Sequence, residues 1–89
     1  MRFEWDAAKA RTNKAKHGID FELATEFDFA NALVAIDDSE SYGEERLVAT
    51  GAIGLSMYVL VYVERAETIR VISLRKATKK EIANYVENL

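Results

Sequence analysis

The sequence contains no cysteine, no proline and a single histidine among its 89 residues. Without cysteine there is no disulfide, no thiolate nucleophile and no cysteine-type zinc site. One histidine also excludes a histidine-rich metal cluster, and it excludes two histidines sharing the roles of acid and base. The sequence therefore predicts a protein with neither a metal site nor a cofactor.

Long apolar runs, low-complexity tracts and internal repeats are also missing from the sequence. No stretch is long enough to span a bilayer, and the first residues contain no apolar run of signal-peptide length. Because nothing resembles a linker, we expect one domain over residues 1–89, and we expect it to be cytoplasmic. Hydrophobic residues make up 49% of the chain, which is enough to form a core.

The charges are distributed unevenly. Residues 1–19 carry five basic and two acidic groups, residues 20–45 carry nine acidic groups and no basic one, and residues 46–89 carry seven basic and four acidic groups. The net charge of −3 by itself argues weakly against a nucleic-acid partner. The distribution instead favours one face that meets phosphate and another that meets a basic partner, the alternative being chance segregation in a short chain.

Three helices are predicted from their capping residues. The first begins after the N-cap Asp6 and ends at Gly18, which suits the left-handed conformation. A second, shorter helix is expected after Asp20. The last begins after Thr78, where Glu81 three residues later completes a capping box.

Between the helices, β-branched and apolar runs predict short strands. They cover residues 2–5, 32–36, 47–52, 57–63 and 68–75. The expected fold class is α+β, with an antiparallel sheet of four to five strands, two N-terminal helices and one C-terminal helix. Strict alternation in the last strand would place on one side of the sheet Ile69, Val71, Ser73 and Arg75, and on the other Arg70, Ile72 and Leu74.

The first predicted helix carries a basic and polar face. Helical spacing brings together Lys9, Asn13, Lys16 and His17. Cations of this kind bind phosphodiesters, and histidine is the side chain suited to proton transfer near neutral pH. The alternative is a solvated helix face whose histidine interacts with the helix dipole.

A second basic cluster follows from the last strands. Arg65 lies in the predicted hairpin, and Arg70 and Arg75 lie in the strand after it. Guanidinium groups bind phosphate oxygens bidentately and stay charged at every useful pH. The alternative is that Arg70 and Arg75 pair with acids of residues 20–45.

Several segments together resemble the BrnT family, in the right order and over almost the whole chain. The segments that carry the resemblance are Phe3-Glu4-Trp5-Asp6 with Lys9, Asn13 to Phe21 (Asn-Lys-Ala-Lys-His-Gly-Ile-Asp-Phe), Glu45-Arg46 with Gly51, Val61 to Arg65, Ile69 to Ala77, and Glu81 with Tyr85. The resemblance implies a fold similar to RelE-type toxins and an endoribonuclease that arrests bacterial growth. It also implies an antitoxin, the ribbon-helix-helix protein BrnA, which would form a hetero-oligomer with the toxin. Contact with DNA would be made by the antitoxin and not by the toxin.

The resemblance and the basic clusters together suggest metal-independent RNA cleavage by the 2′-hydroxyl. The candidate catalytic residues are His17, Arg65, Ser73 and Arg75. The candidate RNA-binding residues are Lys9, Asn13, Lys16 and Arg70. The candidate antitoxin-binding residues are Asp37, Asp38, Glu40, Glu44 and Glu45. The alternative function is a non-catalytic protein-binding module that acts through the acidic segment 20–45.

Overall fold

The first helix, α1, has the boundaries that its caps predict. In the computed structural model, which describes residues 1–37 and 43–89, α1 spans Ala7–His17. The Asp6 carboxylate accepts a hydrogen bond from the backbone N–H of Lys9 at 3.0 Å. Gly18 ends the helix at φ 72°, and its N–H donates to the carbonyl of Lys14. The N-terminal cap and the glycine stop are therefore both confirmed.

The last helix, α2, spans Lys79–Glu87 and begins with the predicted capping box. The Thr78 hydroxyl accepts from the backbone N–H of Glu81 at 3.1 Å, and the Glu81 carboxylate accepts from the N–H of Thr78 at 2.8 Å. These two bonds satisfy donors that a helix start leaves free. In the described part of the chain, no helix has the length and apolar character needed to cross a membrane.

The second predicted helix is a 3₁₀ helix, Phe21–Glu26, rather than an α-helix. Its buried apolar side chains are Phe21 and Ala24, and Phe27 is buried directly after it. This spacing of three residues matches the three residues per turn of a 3₁₀ helix. Asp20 occupies the N-cap position, as predicted, but its side chain forms no cap hydrogen bond.

The sheet has five strands, which are β1 (Arg2–Trp5), β2 (Leu33–Asp37), β3 (Arg46–Ile53), β4 (Ser56–Arg65) and β5 (Thr68–Lys76). Their order across the sheet is β1-β5-β4-β3-β2. Strands β2 to β5 form an antiparallel meander, but β1 pairs with β5 in parallel. The sheet is therefore mixed, which corrects the antiparallel prediction. Hydrophobic alternation identifies a segment as a strand, but it does not determine whether the neighbouring strand runs parallel or antiparallel to it.

The core lies between one face of the sheet and the N-terminal helices. The largest fully buried side chains of this core are Phe21, Leu60, Val71 and Leu74. The opposite face is covered in part by α2, which packs against β3. Val59 is buried on that second face at 2% exposure.

A β-bulge in β5 changes which side chains share a face. Val61 pairs with Ser73 whereas Tyr62 pairs with Val71, so Ile72 is an extra residue. The bulge brings Leu74 to the core face, where strict alternation would have pointed it away. Strict alternation in β5 was therefore wrong.

Candidate functional site

A groove of about 1070 Å³ opens where α1 ends, between the 3₁₀ helix and the adjoining ends of β4 and β5. Its lining includes Lys16 and His17 from α1, Tyr58 from β4, and Arg75 and Lys76 from β5. Tyr58 and Lys76 are register partners, so the two strands bring the ring and the ammonium group to one end of the sheet. The groove thus combines cations, a histidine and an aromatic ring.

The two sides of the groove carry opposite charge. Its cations come from α1 and β5, whereas carboxylates come from the 3₁₀ helix and the residue before it, namely Asp20, Glu22 and Glu26. Asp20 is neutralised in part by Lys14, whose Nζ lies 3.1 Å from its carboxylate on the exposed surface. A polyanion would therefore run along the α1 and β5 side and avoid the 3₁₀ helix.

A smaller cavity of about 380 Å³ lies next to the groove along α1. Lys16 and His17 line both spaces, and Lys9 and Ser73 line the smaller one. The structure therefore brings His17 into one region with Ser73 on one side and Arg75 on the other. Three of the four predicted catalytic residues therefore line one or both of these two cavities.

Asn13 has a role that the sequence did not predict. Its side chain is buried at 6% exposure. The amide nitrogen donates to the carbonyls of Leu74 and Ile19, at 2.8 and 3.1 Å, and the amide oxygen accepts from the N–H of Leu74 at 3.2 Å. Strand β1 ends at Trp5, opposite Val71 of β5. The Asn13 amide pairs with the backbone of β5 just beyond that point. Asn13 therefore holds α1 against β5 through both groups of its amide. It also lines the smaller cavity with Lys9 and His17, and its RNA-binding role stays a prediction.

Arg75 is held by a carboxylate of α2. Its Nη1 and Nη2 donate to the two oxygens of Glu81 at 2.7 and 2.8 Å, and Nη1 also lies 3.3 Å from the carbonyl of Lys76. The Arg75 guanidinium, with help from the N-cap Thr78, lowers the pKa of Glu81 from 4.5 to about 2. The same hydrogen bonds raise the pKa of Arg75. The pair is charged at neutral pH, and it joins the end of β5 to the start of α2.

Arg65 and Arg70 lie away from this site. Arg65 pairs in register with Thr68 at the β4–β5 hairpin. Thr68 precedes Arg75 by seven residues, which is about 20 Å along β5. Its guanidinium binds Glu44, and Arg70 binds Glu4 at 2.8 Å. The structure therefore does not bring Arg65 together with His17, because the hairpin connection places Arg65 at the opposite end of the sheet.

The arginines have acidic partners, although not the ones expected as the alternative. Arg70 pairs with an acid of residues 1–19, and Arg75 pairs with one of residues 46–89. Of these three arginines, and among the described residues, Arg65 is the one paired with an acid of residues 20–45, namely Glu44. The Arg65 guanidinium lowers the pKa of the Glu44 carboxyl. Exposed pairs of the Arg65 kind stabilise a protein little, whereas the part-buried pair of Arg75 with Glu81 fixes the orientation of its guanidinium.

The predicted antitoxin-binding acids are divided among several places. Asp37 ends β2, Glu44 binds Arg65, and Glu45 is exposed just before β3. Asp38 and Glu40 lie outside the described residues. Among residues 1–37 and 43–89, no three side chains of the metal-binding types come together.

Two residues of the site were assigned only local roles from the sequence. Glu81 was recognised as a helix cap, and its ion pair with Arg75 adds a second role. Tyr58 is not among the predicted site residues, but it lines the groove. The available signal in the sequence was the capping box that begins the last helix. That helix start places Glu81, six residues after Arg75, back near the end of β5.

The Glu81–Arg75 pair predicts acid-dependent stability. In the Glu81→Gln variant the glutamine keeps an oxygen for the capping box but loses the charge. Because folding lowers the pKa of Glu81, the pair stabilises the fold fully above the ordinary value of 4.5, and this stabilisation is lost as the pH falls toward about 2. Both side chains are about one-third exposed, so we expect a loss of only about 1 kcal/mol at pH 7.

Urea unfolding of both proteins at pH 7 and pH 3 checks this. The difference in unfolding free energy between wild type and Glu81→Gln should shrink at the lower pH. An equal difference at both values would show that the charge of Glu81 contributes nothing.

A known protein family matches most of the chain. The sequence matches the family described as the ribonuclease toxin, BrnT, of type II toxin-antitoxin system over residues 5–81. That range begins at the end of β1 and includes α1, the whole β2–β5 meander and the Glu81 that binds Arg75. None of the curated proteins compared with the chain matches it. The chain therefore belongs to the BrnT family of ribonuclease toxins of type II toxin–antitoxin systems.

Proposed function

We propose that the groove at the end of α1 is the site of metal-independent RNA cleavage. The observation that carries the proposal is that His17, Lys16 and Arg75 line one groove although they come from opposite ends of the chain. A proton-transfer group and fixed cations are the parts that cleavage by an internal 2′-hydroxyl requires. Family membership supports the reaction class, since the family is described as a ribonuclease.

In the proposed reaction the RNA 2′-oxygen attacks the adjacent phosphorus, and the bond to the 5′-oxygen breaks. The products are a 2′,3′-cyclic phosphate and a 5′-hydroxyl. One proton leaves the 2′-oxygen and another is delivered to the 5′-oxygen, and His17 carries out one of these transfers. Ser73, in the adjoining cavity with His17, is a hydrogen-bonding support.

Arg75 stabilises the negative charge of the phosphorane. A guanidinium has five N–H donors. Three of them point to Glu81 and to the carbonyl of Lys76, which leaves the Nε–H and one hydrogen of Nη2. Those two lie side by side and match two oxygens of a phosphate. Glu81 thus acts as a positioning residue that orients the free side of Arg75.

The RNA backbone follows the cationic side of the groove. Lys16 and Lys76 flank the reacting phosphate, and Lys9 extends the path through the smaller cavity. Arg70, paired with Glu4 and absent from both cavities, would meet RNA only beyond this path. The carboxylates of the 3₁₀ helix repel phosphate and so keep the backbone on the α1 side.

The same proposal includes the partner. A type II toxin has an antitoxin, and the expected one is a BrnA-like ribbon-helix-helix protein that also contacts DNA. The acids at the β2–β3 connection would attract its basic residues, with Asp37, Glu44 and Glu45 on the described side of that connection. Growth arrest follows from RNA cleavage when the antitoxin is missing.

The test is cleavage of labelled RNA by purified protein in excess EDTA. We expect cleavage to continue, with a 2′,3′-cyclic phosphate on the upstream product, because protein side chains supply the charge and the proton transfer. Activity that disappears with EDTA and returns with Mg²⁺ would contradict the proposed chemistry. No cleavage under any condition would favour a protein-binding module instead.

A further inference from the structure

Strand β2 forms one edge of the sheet and exposes apolar side chains to solvent. In the described part of the chain, β3 is its only strand neighbour, so alternate backbone groups of β2 point away from the sheet. Its sequence is Leu-Val-Ala-Ile-Asp, with one charged residue at the end. Val34 and Ile36 are 44% and 59% exposed. An apolar edge of this kind pairs readily with another chain.

The opposite edge, β1, is protected in the usual way. Arg2 and Glu4 place charges on it, and Glu4 binds Arg70 of the neighbouring strand. Its apolar side chains, Phe3 and Trp5, pack against the core. Natural proteins place charges on edge strands to prevent pairing. The contrast indicates that β2 is left open for a partner.

The surroundings of β2 indicate the charge of that partner. The strand lies within residues 20–45, which carry nine acidic groups and no basic one. Asp37 ends the strand in register with Arg46 of β3, Glu44 is bound by Arg65, and Glu45 is exposed just before β3. Pairing two copies of this chain in parallel through β2 would bring these acids together. A basic segment would be attracted by them.

We propose that β2 is the docking strand for the antitoxin, which adds an extended segment to this edge. The segment alternates apolar side chains, which cover Val34 and Ile36, with basic side chains that face the acids. The proposal rests on the antitoxin partner of the proposed function and is independent of the cleavage chemistry.

The location of β2 has a consequence for inhibition. Strands β3 and β4 separate β2 from β5, a distance of about 14 Å across the sheet, and the catalytic groove lies at β5. The docked segment therefore anchors the antitoxin without filling the groove. Inhibition of RNA cleavage requires a different part of the antitoxin.

The experiment uses the full toxin chain and the antitoxin encoded with it. Amide hydrogen exchange of the toxin, alone and in the complex, reports on the backbone of Leu33–Asp37. A Val34→Lys, Ile36→Lys double variant removes the apolar edge at exposed positions and leaves the core untouched. The matched control is Val86→Lys on α2, since Val86 is 57% exposed and equally apolar.

We expect slowed exchange at β2 in the complex and antitoxin binding weakened roughly 10- to 100-fold in the double variant, with little change in Val86→Lys. Unchanged exchange at β2, or an equal effect of the control, would overturn the proposal. A dimer of the wild-type toxin alone that the double variant abolishes would assign β2 to a second copy instead. RNA cleavage by the free double variant should match wild type, so a failed cleavage mechanism leaves the binding result interpretable.

Discussion

Replacing Arg75 with alanine is expected to lower the rate of RNA cleavage by roughly 10²- to 10³-fold, the usual effect of losing one electrostatic donor at a reacting centre. Arg75 is the arginine that lines the groove with His17, and Glu81 fixes its orientation. The measurement is single-turnover cleavage of a labelled RNA, with growth arrest in cells as the second readout. Arg75→Lys keeps the charge and loses the planar pair of donors, so we expect it to recover only part of the rate.

His17→Ala is expected to have an effect of similar size, about 10²- to 10⁴-fold, because it removes a proton-transfer group. The side chain is only partly buried at the end of α1, so its loss should leave the fold intact. Both variants should relieve growth arrest. A double variant that melts as a folded protein and keeps full toxicity would refute the assignment of the groove.

The control for the arginine is Arg65→Ala. Arg65 also binds a carboxylate, Glu44, but lies at the hairpin end of the sheet. Arg65→Ala also removes a guanidinium that is bound to a carboxylate, but this one lies outside the groove. We expect the cleavage rate to change by only a few-fold. Equal losses for the two arginines would mean that the reacting phosphate lies near the hairpin.

Replacing Asn13 with alanine is expected to be the most destabilising change in α1, costing about 2–4 kcal/mol. The variant leaves the N–H and the carbonyl of Leu74 buried beside the missing amide. For a domain of this size the melting temperature should fall by at least roughly 10 °C. Asn13→Asp keeps one acceptor but loses both donors and brings a charge into the same site, so we expect it to be at least as harmful.

The matched control for Asn13 is Arg11→Ala on the same helix, since Arg11 is exposed. Alanine favours a helix, so the unfolding free energy should change by less than about 0.5 kcal/mol. Thermal and urea unfolding of the three variants measures the difference. A small effect of Asn13→Ala would show that water replaces the amide and that α1 is held by packing alone.

The parallel strand β1 shows why the sheet could not be derived completely. Residues 2–5 were recognisable as a strand, but the partner of β1 is β5, and the Glu4–Arg70 pair joins residues 66 positions apart. The bulge at Ile72 likewise depends on how β5 meets β4. Because a bulge shifts every later side chain to the other face, one unrecognised residue changed the predicted surroundings of Leu74.

Asn13 is the clearest example in the site. Its spacing with Lys9 and Lys16 suggested a solvent-facing helix surface, whereas its amide binds a strand 61 residues away. A polar side chain in a helical pattern looks the same whether it faces water or the exposed edge of a strand. The partners of the three arginines were hidden for the same reason.

The sequence by itself determined the helix boundaries at Asp6, Gly18 and Thr78, the strands of the meander and the family resemblance. Caps and alternation act between residues a few positions apart, so they are readable along the chain. Only the tertiary structure decided that His17 and Arg75 share a groove, that Arg65 lies away from it, and that β2 is an edge of the described sheet. Those facts depend on strand order and on contacts between distant residues, which local spacing does not encode.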